Sequence, residues 1–225
     1  MQRVLEPELM DAPDQVEAYA AADFEAPDRR FVETFIQRHG VDFKGEIADL
    51  GCGPGNIALR LAQALPQVRV RGVDGAGRML DEARRRAAAS EVEGRVVWQQ
   101  ACLPTADLPA QHFEAVVSNS LLHHLHAPAG LWETIRQIAA PGAAILVGDL
   151  RRPPSLDAAH ALVATYVAGE PPVLQADFFA SLCAAFEIEE VRAQLDAAGL
   201  HTLTVEALGD RHLVVSGRLD KGPGA

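Results

Sequence analysis

The stretch DLGCGPGN, residues 49–56, decides the fold of this chain. It overlaps a short apolar segment, residues 47–50, which is typical of a buried strand, and it opens a segment with helical apolar spacing that ends before Pro66. Three glycines at alternate positions let the backbone turn tightly and lie close to a ligand. The predicted helix would add unpaired N–H groups and a positive dipole end, so this turn is a candidate binding loop.

Two common nucleotide-binding loops do not fit this stretch. A dinucleotide loop needs the pattern G-x-G-x-x-G, and its third glycine would fall where the chain has Asn56. A P-loop needs Gly-Lys followed by Ser or Thr, and no such sequence follows. An NAD(P)-dependent oxidoreductase is therefore the poorest of the functions considered.

Strands and helices are predicted to alternate along the first two thirds of the chain, which indicates a largely parallel sheet. The predicted strands are 47–50, 68–74, 96–99, 113–119 and 143–150, and the predicted helices are 28–39, 56–65, 78–89 and 131–140. Residues 151–190 break this pattern, with two predicted helices, 156–168 and 177–186, and no clear strand. A helix at 188–198 and two strands, 201–208 and 212–219, close the chain as an antiparallel hairpin.

Residues 47–58 resemble motif I of the class I S-adenosylmethionine-dependent methyltransferases, especially their small-molecule group (methyltransferase types 11 and 25). In that family the loop wraps the methionine and ribose part of the cofactor. The resemblance implies cofactor contacts at Asp49, Gly51, Cys52, Gly53 and Gly55.

A second similarity lies at residues 72–80, GVDGAGRML. Asp74 ends a predicted strand 25 residues after Asp49, and a carboxylate there can accept both ribose hydroxyls. The resemblance adds Gly75 and places Met79 against the adenine. Methionine at such a position is otherwise a common core residue.

The chain departs from the family after the third predicted strand. Where the family has Gly-Asp-Ala, residues 99–104 read QQACLP and contain no acid. We expect Cys102, or the backbone around Ala101, to take the place of the missing carboxylate at the adenine.

Residues 117–125, VSNSLLHHL, resemble the family's motif IV, at the switch point where such sheets bind ligands. Asn119 would line the pocket between cofactor and acceptor. His123 or His124 is a candidate general base, because imidazole titrates near neutral pH, although a packed structural histidine fits equally well. No metal site is expected, since adjacent histidines should point apart on a helix and no ligand spacing is met.

Asp149 ends the fifth predicted strand on the same side of the sheet. It could orient an acceptor, or it could pair with Arg151 or Arg152. Both interpretations are open at this stage.

The two ends of the fold are where such enzymes differ, and we expect them to cover the acceptor. The candidate acceptor contacts are Tyr19, Tyr166, Phe178, Phe179 and Arg152. The predicted divisions are an N-terminal helical lid at 1–44, a cofactor-binding core at 45–150, a helical insertion at 151–190, a final helix and hairpin at 191–219, and a tail at 220–225.

Composition limits the partners and the compartment. The chain has 20 Lys and Arg against 31 Asp and Glu, a net charge of −11, which disfavours a nucleic-acid partner. The three cysteines are far apart without a CxxC pair, which fits the reducing cytoplasm. We see no signal peptide and no apolar run approaching ~20 residues, so no membrane span is expected.

The sequence thus predicts an α/β, Rossmann-like doubly wound sheet of seven strands in the family-implied order 3-2-1-4-5-7-6. The expected cofactor is S-adenosylmethionine, and the expected activity is in-line methyl transfer to a small-molecule acceptor. The alternative is a module of the same fold that holds the cofactor without chemistry, because fold alone does not establish turnover.

Overall fold

Strand and helix alternate from Gly45 onward and build one seven-stranded sheet in the computed structural model, which describes residues 1–22, 24–105 and 107–220. The strands are β1 Gly45–Leu50, β2 Val68–Asp74, β3 Val96–Gln100, β4 Phe113–Asn119, β5 Ala139–Leu150, β6 Leu203–Leu208 and β7 His212–Arg218. The helices are α1 Pro13–Ala21, α2 Glu25–His39, α3 Asn56–Ala64, α4 Gly77–Ala88, α5 Ala129–Ile138, α6 Leu156–Tyr166, α7 Pro172–Ala184 and α8 Ile188–Ala197. Except for Asp220, the predicted tail lies outside the described residues.

The strand order is β3-β2-β1-β4-β5-β7-β6, which confirms the predicted topology. The first five strands are parallel, and β7 runs antiparallel to both β5 and β6. Connections run outward in opposite directions from β1 and β4, so a crevice opens where these two strands end. Asp49 of β1 pairs with Gly72 on one side and with Val117 on the other, which puts its carboxyl at the centre of that edge.

Each face of the sheet is covered by helices. On one face, α2 and α3 bury Phe35 and Leu61 completely. On the other, α5 and α8 bury Trp132 and Val191 completely. Removal of these apolar side chains from water is the main force that holds the layers together.

Three boundaries differ from the sequence prediction. Helix α1 was not expected in the polar N-terminal stretch, but it begins with Pro13, a favoured first helical residue, and buries Val16. Strand β5 begins at Ala139, four residues early, because Ala139 pairs with Phe113 of β4. Helix α7 likewise begins early, at Pro172.

The two ends of the chain meet at the carboxyl edge of the sheet. Helices α6 and α7 form a small apolar cluster on Leu150 at the end of β5. Residues 1–12 lie extended beside them, and the Val4 N–H donates to the Cys183 carbonyl at 3.0 Å. Among the described residues, no helix is long and apolar enough to cross a membrane.

Gly55, which precedes α3, allows a test of local packing. It has φ +86°, and a Cβ there would lie 2.6 Å from the Trp98 ring, whereas Gly209 has φ +70° with nothing within 4 Å of its Cβ position. Gly209→Ala should lose about 1–2 kcal/mol of unfolding free energy through backbone strain. Gly55→Ala should lose about 1–3 kcal/mol more through overlap. Urea unfolding measures both, and equal losses would contradict the packing described.

Candidate functional site

A cavity of about 890 Å³ opens at the carboxyl edge of β1, β2 and β4. This volume is within the range of small-molecule and cofactor sites. Most of the predicted cofactor contacts lie in its wall, namely Asp49, Gly51, Cys52, Gly53, Asp74, Gly75, Met79, Ala101, Cys102 and Asn119. Gly55 does not line it, because that glycine faces Trp98 instead.

The glycine loop presents bare backbone to the cavity. Gly53 has φ +50°, and no atom lies within 4 Å of where its Cβ would be. Gly51, with φ +71°, passes so close to Leu121 that a Cβ would lie 2.8 Å from that side chain. The loop therefore needs glycine for two reasons, access at Gly53 and close packing at Gly51.

Asp74 ties this loop to the end of β2. Its Oδ2 accepts the Gly53 N–H and its Oδ1 accepts the Ala76 N–H, each at 2.8 Å. Burial raises the pKa of Asp74, and these backbone N–H groups oppose the rise. Each carboxylate oxygen has a second lone pair, so Asp74 can still accept hydroxyl groups from a ligand.

Asp49 is a carboxyl group that is almost completely buried in the cavity wall. Its side chain is 1% exposed, and among the described residues its Oδ2 has no hydrogen-bond partner. Burial, with a contribution from the nearby Asp74 charge, raises the pKa of Asp49 to about 8. A buried carboxyl oxygen without a partner is costly, so a positively charged ligand group beside Oδ2 would be strongly favoured.

The predicted adenine end is built from several elements. Met79 packs with Val16 of α1 and with Tyr19, so it is both a core residue and part of the cavity wall. Ala101 donates its backbone N–H to the Asp74 carbonyl at 3.0 Å, which fixes the chain after β3. The Cys102 thiol is exposed, and its sulfur would lie 3.0 Å from a Cβ on Gly75.

Asn119 sits at the end of β4, beside the bare backbone of Gly148 in β5. Its Oδ1 would lie only 3.0 Å from a Cβ at that glycine. The amide is thereby placed in the cavity wall between the glycine loop and the histidines.

The three candidate catalytic residues converge at one end of the cavity. His123 Nδ1 lies 2.5 Å from Asp149 Oδ1, and Asp149 also accepts the backbone N–H groups of Leu122 and Leu150. Asp149 therefore contacts His123 and not the arginines considered from the sequence. Burial acts to lower the pKa of His123, but the charges of Asp149 and Glu6 outweigh it and raise the pKa.

Glu6 joins this cluster from the N-terminal segment, and sequence reasoning missed it. Its Oε1 lies 3.6 Å from His123 Nε2 and 3.2 Å from His124 Nδ1, while Ser181 donates to its Oε2 at 3.1 Å. Burial raises the pKa of Glu6 against the effect of His123. No local spacing signals a contact across more than 110 residues, so only the folded chain reveals it.

The expectation that His123 and His124 point apart is wrong. The short 3₁₀ turn Leu122–His124 turns both rings toward Glu6, with ring centroids 4.3 Å apart. Burial lowers the pKa of His124 to about 3, and the neighbouring His123 charge adds to the effect.

The predicted acceptor contacts divide into two groups. Tyr19, Tyr166 and Phe178 line the cavity, but Phe179 and Arg152 do not. Phe179 stacks on the His160 ring at 4.4 Å in the apolar cluster of α6 and α7.

Arg152 is engaged in holding α8 to the end of β5. Its guanidinium is nearly buried and donates to Glu187 at 3.0 Å and Glu190 at 2.9 Å, since a buried cation needs such partners. Arg151 donates to the Asp210 carbonyl at 3.0 Å. Neither arginine lines the cavity, although Arg152 was expected to contact the acceptor.

The charges in the described cavity wall are mainly negative. Nine carboxyl groups and three arginines line it. Of these arginines, Arg29 pairs with Glu25 and Arg211 pairs with Asp210. The wall therefore favours neutral or cationic ligand groups.

Residues 47–142 match the sequence family described as "Methyltransferase domain". This part of the chain is a methyltransferase domain. The match runs from β1 into the start of β5 and includes the glycine loop, Asp74 and Asn119.

Two curated relatives support this assignment. The chain is 32% identical over 160 residues to trans-aconitate 2-methyltransferase from Methylobacterium nodulans, covering 68% of this chain and 56% of the relative. It is 33% identical over 101 residues to an uncharacterized methyltransferase from Mycobacterium bovis, covering 45% of this chain and 48% of the relative. The chain spans about half the length of the curated relatives that it matches.

The fold is shared with solved methyltransferases. A SAM-dependent methyltransferase from Aquifex aeolicus superimposes with a TM-score of 0.63 at 17% identity, covering 93% of this chain and 95% of the other. At this identity the likeness shows the fold alone.

The raised pKa of Asp49 predicts a pH dependence of stability. A folded-state pKa near 8, above an unfolded value of about 3.9, gives stability that is complete below about pH 4 and is lost as pH rises through about 8. The unfolding free energy should fall by up to about 1.4 kcal/mol per pH unit across this window, relative to Asp49→Asn.

Urea unfolding at pH 5 to 9 measures this difference. Asp81→Asn is the matched control, because that carboxyl is 78% exposed on α4 and should leave the pH profile unchanged. Parallel profiles for the wild type and Asp49→Asn would contradict the assignment.

Proposed function

We propose that this chain is an S-adenosylmethionine-dependent methyltransferase that acts on a small-molecule acceptor by in-line methyl transfer. The observation that carries the proposal is the convergence of Asp49, the glycine loop and Asp74 on one cavity. Each group suits one part of S-adenosylmethionine. Asp49 suits its positive charge, Asp74 suits its ribose, and the glycine loop lets the cofactor lie close to the backbone.

The residues present fit the cofactor. The buried Asp49 carboxyl, which has an oxygen without a described partner, would hold a positively charged group. Asp74 would accept the ribose hydroxyls. Gly53 leaves room for the ligand against the backbone, while Met79 and the chain at Ala101 and Cys102 would enclose the adenine. When bound, the cofactor supplies a methyl group on a sulfonium, which is an excellent leaving group.

The protein's main tasks in such a reaction are alignment and exclusion of water. Tyr19, Tyr166 and Phe178 give the cavity an aromatic wall that suits a partly apolar acceptor. We place the acceptor near Asn119 and the cluster of His123, His124 and Asp149, which we propose as the catalytic group.

The mainly negative charge of the cavity wall indicates which charge the acceptor should carry. Arg151 and Arg152 face away, and carboxyl groups outnumber arginines. We therefore propose a neutral or cationic acceptor and do not carry over trans-aconitate, the anion in one relative's name. The acidic balance also supports a small molecule over a nucleic acid.

We propose that the N-terminal region, 1–44, and the insertion, 151–190, form the lid over the 45–150 core, with 191–219 completing the sheet. Glu8, Leu9 and Met10 lie in the cavity wall, and α1 contacts both α4 and α7. The compartment we propose is the cytoplasm, where the three free thiols would be kept reduced.

Calorimetry with S-adenosylhomocysteine tests the cofactor site. The protein should bind it but not NAD, and Asp74→Asn should weaken binding at least about tenfold, because charge-assisted hydrogen bonds are worth about 1.5–3 kcal/mol each. Asp81→Asn, an exposed carboxyl on α4, is the control. Circular dichroism checks the fold, since Asp74 also holds Gly53. Tight NAD binding without S-adenosylhomocysteine binding would overturn the proposal.

Hydrogen exchange tests the lid. Residues 8–21 and 156–184 should exchange quickly in the free protein and more slowly with S-adenosylhomocysteine bound, because closure orders both segments. Buried strand β4 serves as the internal control and should be protected in both states. Strong, equal protection of the two segments with and without ligand would show that they are fixed core.

A further inference from the structure

Three metal-ligating atoms meet where the N-terminal segment crosses the end of the cavity. Glu6 Oε1, His123 Nε2 and His124 Nδ1 all lie within 4.8 Å of one another. The Glu6 side chain is 7% exposed and the His123 side chain 3% exposed, so this is a buried cluster and not a set of surface charges.

The hydrogen bonds of Asp149 fix which nitrogen of His123 carries a proton. Asp149 accepts backbone N–H groups from Leu122 at 2.7 Å and Leu150 at 2.6 Å, so it is an acceptor and His123 Nδ1 must donate to it. On the neutral ring, the lone pair of Nε2 then faces Glu6 Oε1. Two acceptors that face each other in a buried place need a proton or a metal ion between them.

A hydrogen bond does not fill this gap. The 3.6 Å between His123 Nε2 and Glu6 Oε1 is too long for one, and among the described residues Glu6 Oε1 has no hydrogen-bond partner. His124 Nδ1 is 3.4 Å from the Pro7 carbonyl, a long and therefore weak hydrogen bond that would compete little with a ligand at this nitrogen.

Two of the three spacings are close to those around a four-coordinate ion, and the third, between His123 Nε2 and His124 Nδ1, is no more than 4.8 Å. Ligands bound at about 2.0–2.1 Å to a tetrahedral zinc ion lie about 3.3–3.4 Å apart. Glu6 Oε1 is 3.2 Å from His124 Nδ1 and 3.6 Å from His123 Nε2, so small adjustments would bring both distances into that range.

The groups behind the ligands are also those of a metal site. Asp149 orients His123 through Nδ1, and Ser181 donates to Glu6 Oε2 at 3.1 Å, which leaves Oε1 for the ion. Carboxylate–histidine pairs of this kind hold imidazole ligands in the orientation that a metal requires.

We propose that Glu6, His123 and His124 bind one divalent ion of the zinc class, with its fourth position open to the cavity. Two imidazoles and a carboxylate are a donor set that such ions take. The proposal departs from the expectation of no metal, because the adjacent histidines do not point apart. It rests on the proposed function in one respect, since the open position would take a neutral oxygen or nitrogen of the acceptor.

The site is tested by removing bound metal from the full chain with a chelator and then titrating zinc into it in a calorimeter. The wild type should bind one Zn²⁺ per chain, and Co²⁺ in its place should give the visible absorption of a four-coordinate site. Glu6→Gln and His124→Ala should each weaken binding at least tenfold. Asp81→Asn and His201→Ala should leave binding unchanged, because Asp81 pairs with Arg84, His201 pairs with Asp196, and both side chains are mostly exposed.

Circular dichroism establishes that each variant is folded. The metal site is overturned if the wild type does not bind zinc, or if Glu6→Gln and His124→Ala bind zinc as tightly as the wild type does. S-adenosylhomocysteine binding is measured on the same samples without zinc. Zinc binding without S-adenosylhomocysteine binding would contradict the proposed function but support the metal site. S-adenosylhomocysteine binding without zinc binding would support the proposed function but contradict the metal site.

Discussion

The hydrogen bonds that Asp74 accepts from Gly53 and Ala76 hold the glycine-loop end of the cavity together. They join the glycine loop after β1 to the start of α4 after β2, and they do so with a carboxylate that stays in the cavity wall. Asp149 repeats the arrangement at the end of β5, where it holds the turn that carries His123. A parallel sheet permits this because the carboxyl ends of its strands share one edge.

The part of the fold that could be predicted from the sequence depends on local signals. The glycines at 51 and 53, and Asp49 and Asp74 at strand ends, are short-range features that need no partner to be recognised. Strand alternation predicts a largely parallel sheet, and the resemblance to the methyltransferase family supplied the strand order that the structure confirms. The pattern at residues 117–125 likewise placed Asn119 and both histidines beside the cavity.

The part that could not be predicted depends on contacts between distant residues. Glu6 lies in the predicted lid, in a segment where no helix or strand was predicted, and only the packing of residues 1–12 against α7 brings it to His123. Arg152 was expected to contact the acceptor, but it is buried and pairs with Glu187 and Glu190 instead. Periodicity does not reveal which side chains a fold will bury together.

The central claim is that this cavity transfers a methyl group to a small molecule. It is tested most directly by incubating the protein with methyl-labelled S-adenosylmethionine and a metabolite extract, then identifying the labelled product. The account predicts label in one neutral or cationic small molecule, formed in equal amount with S-adenosylhomocysteine and lost in Asp49→Asn. Cofactor binding without any labelled product would contradict it and would mark the chain as a module that holds the cofactor without chemistry.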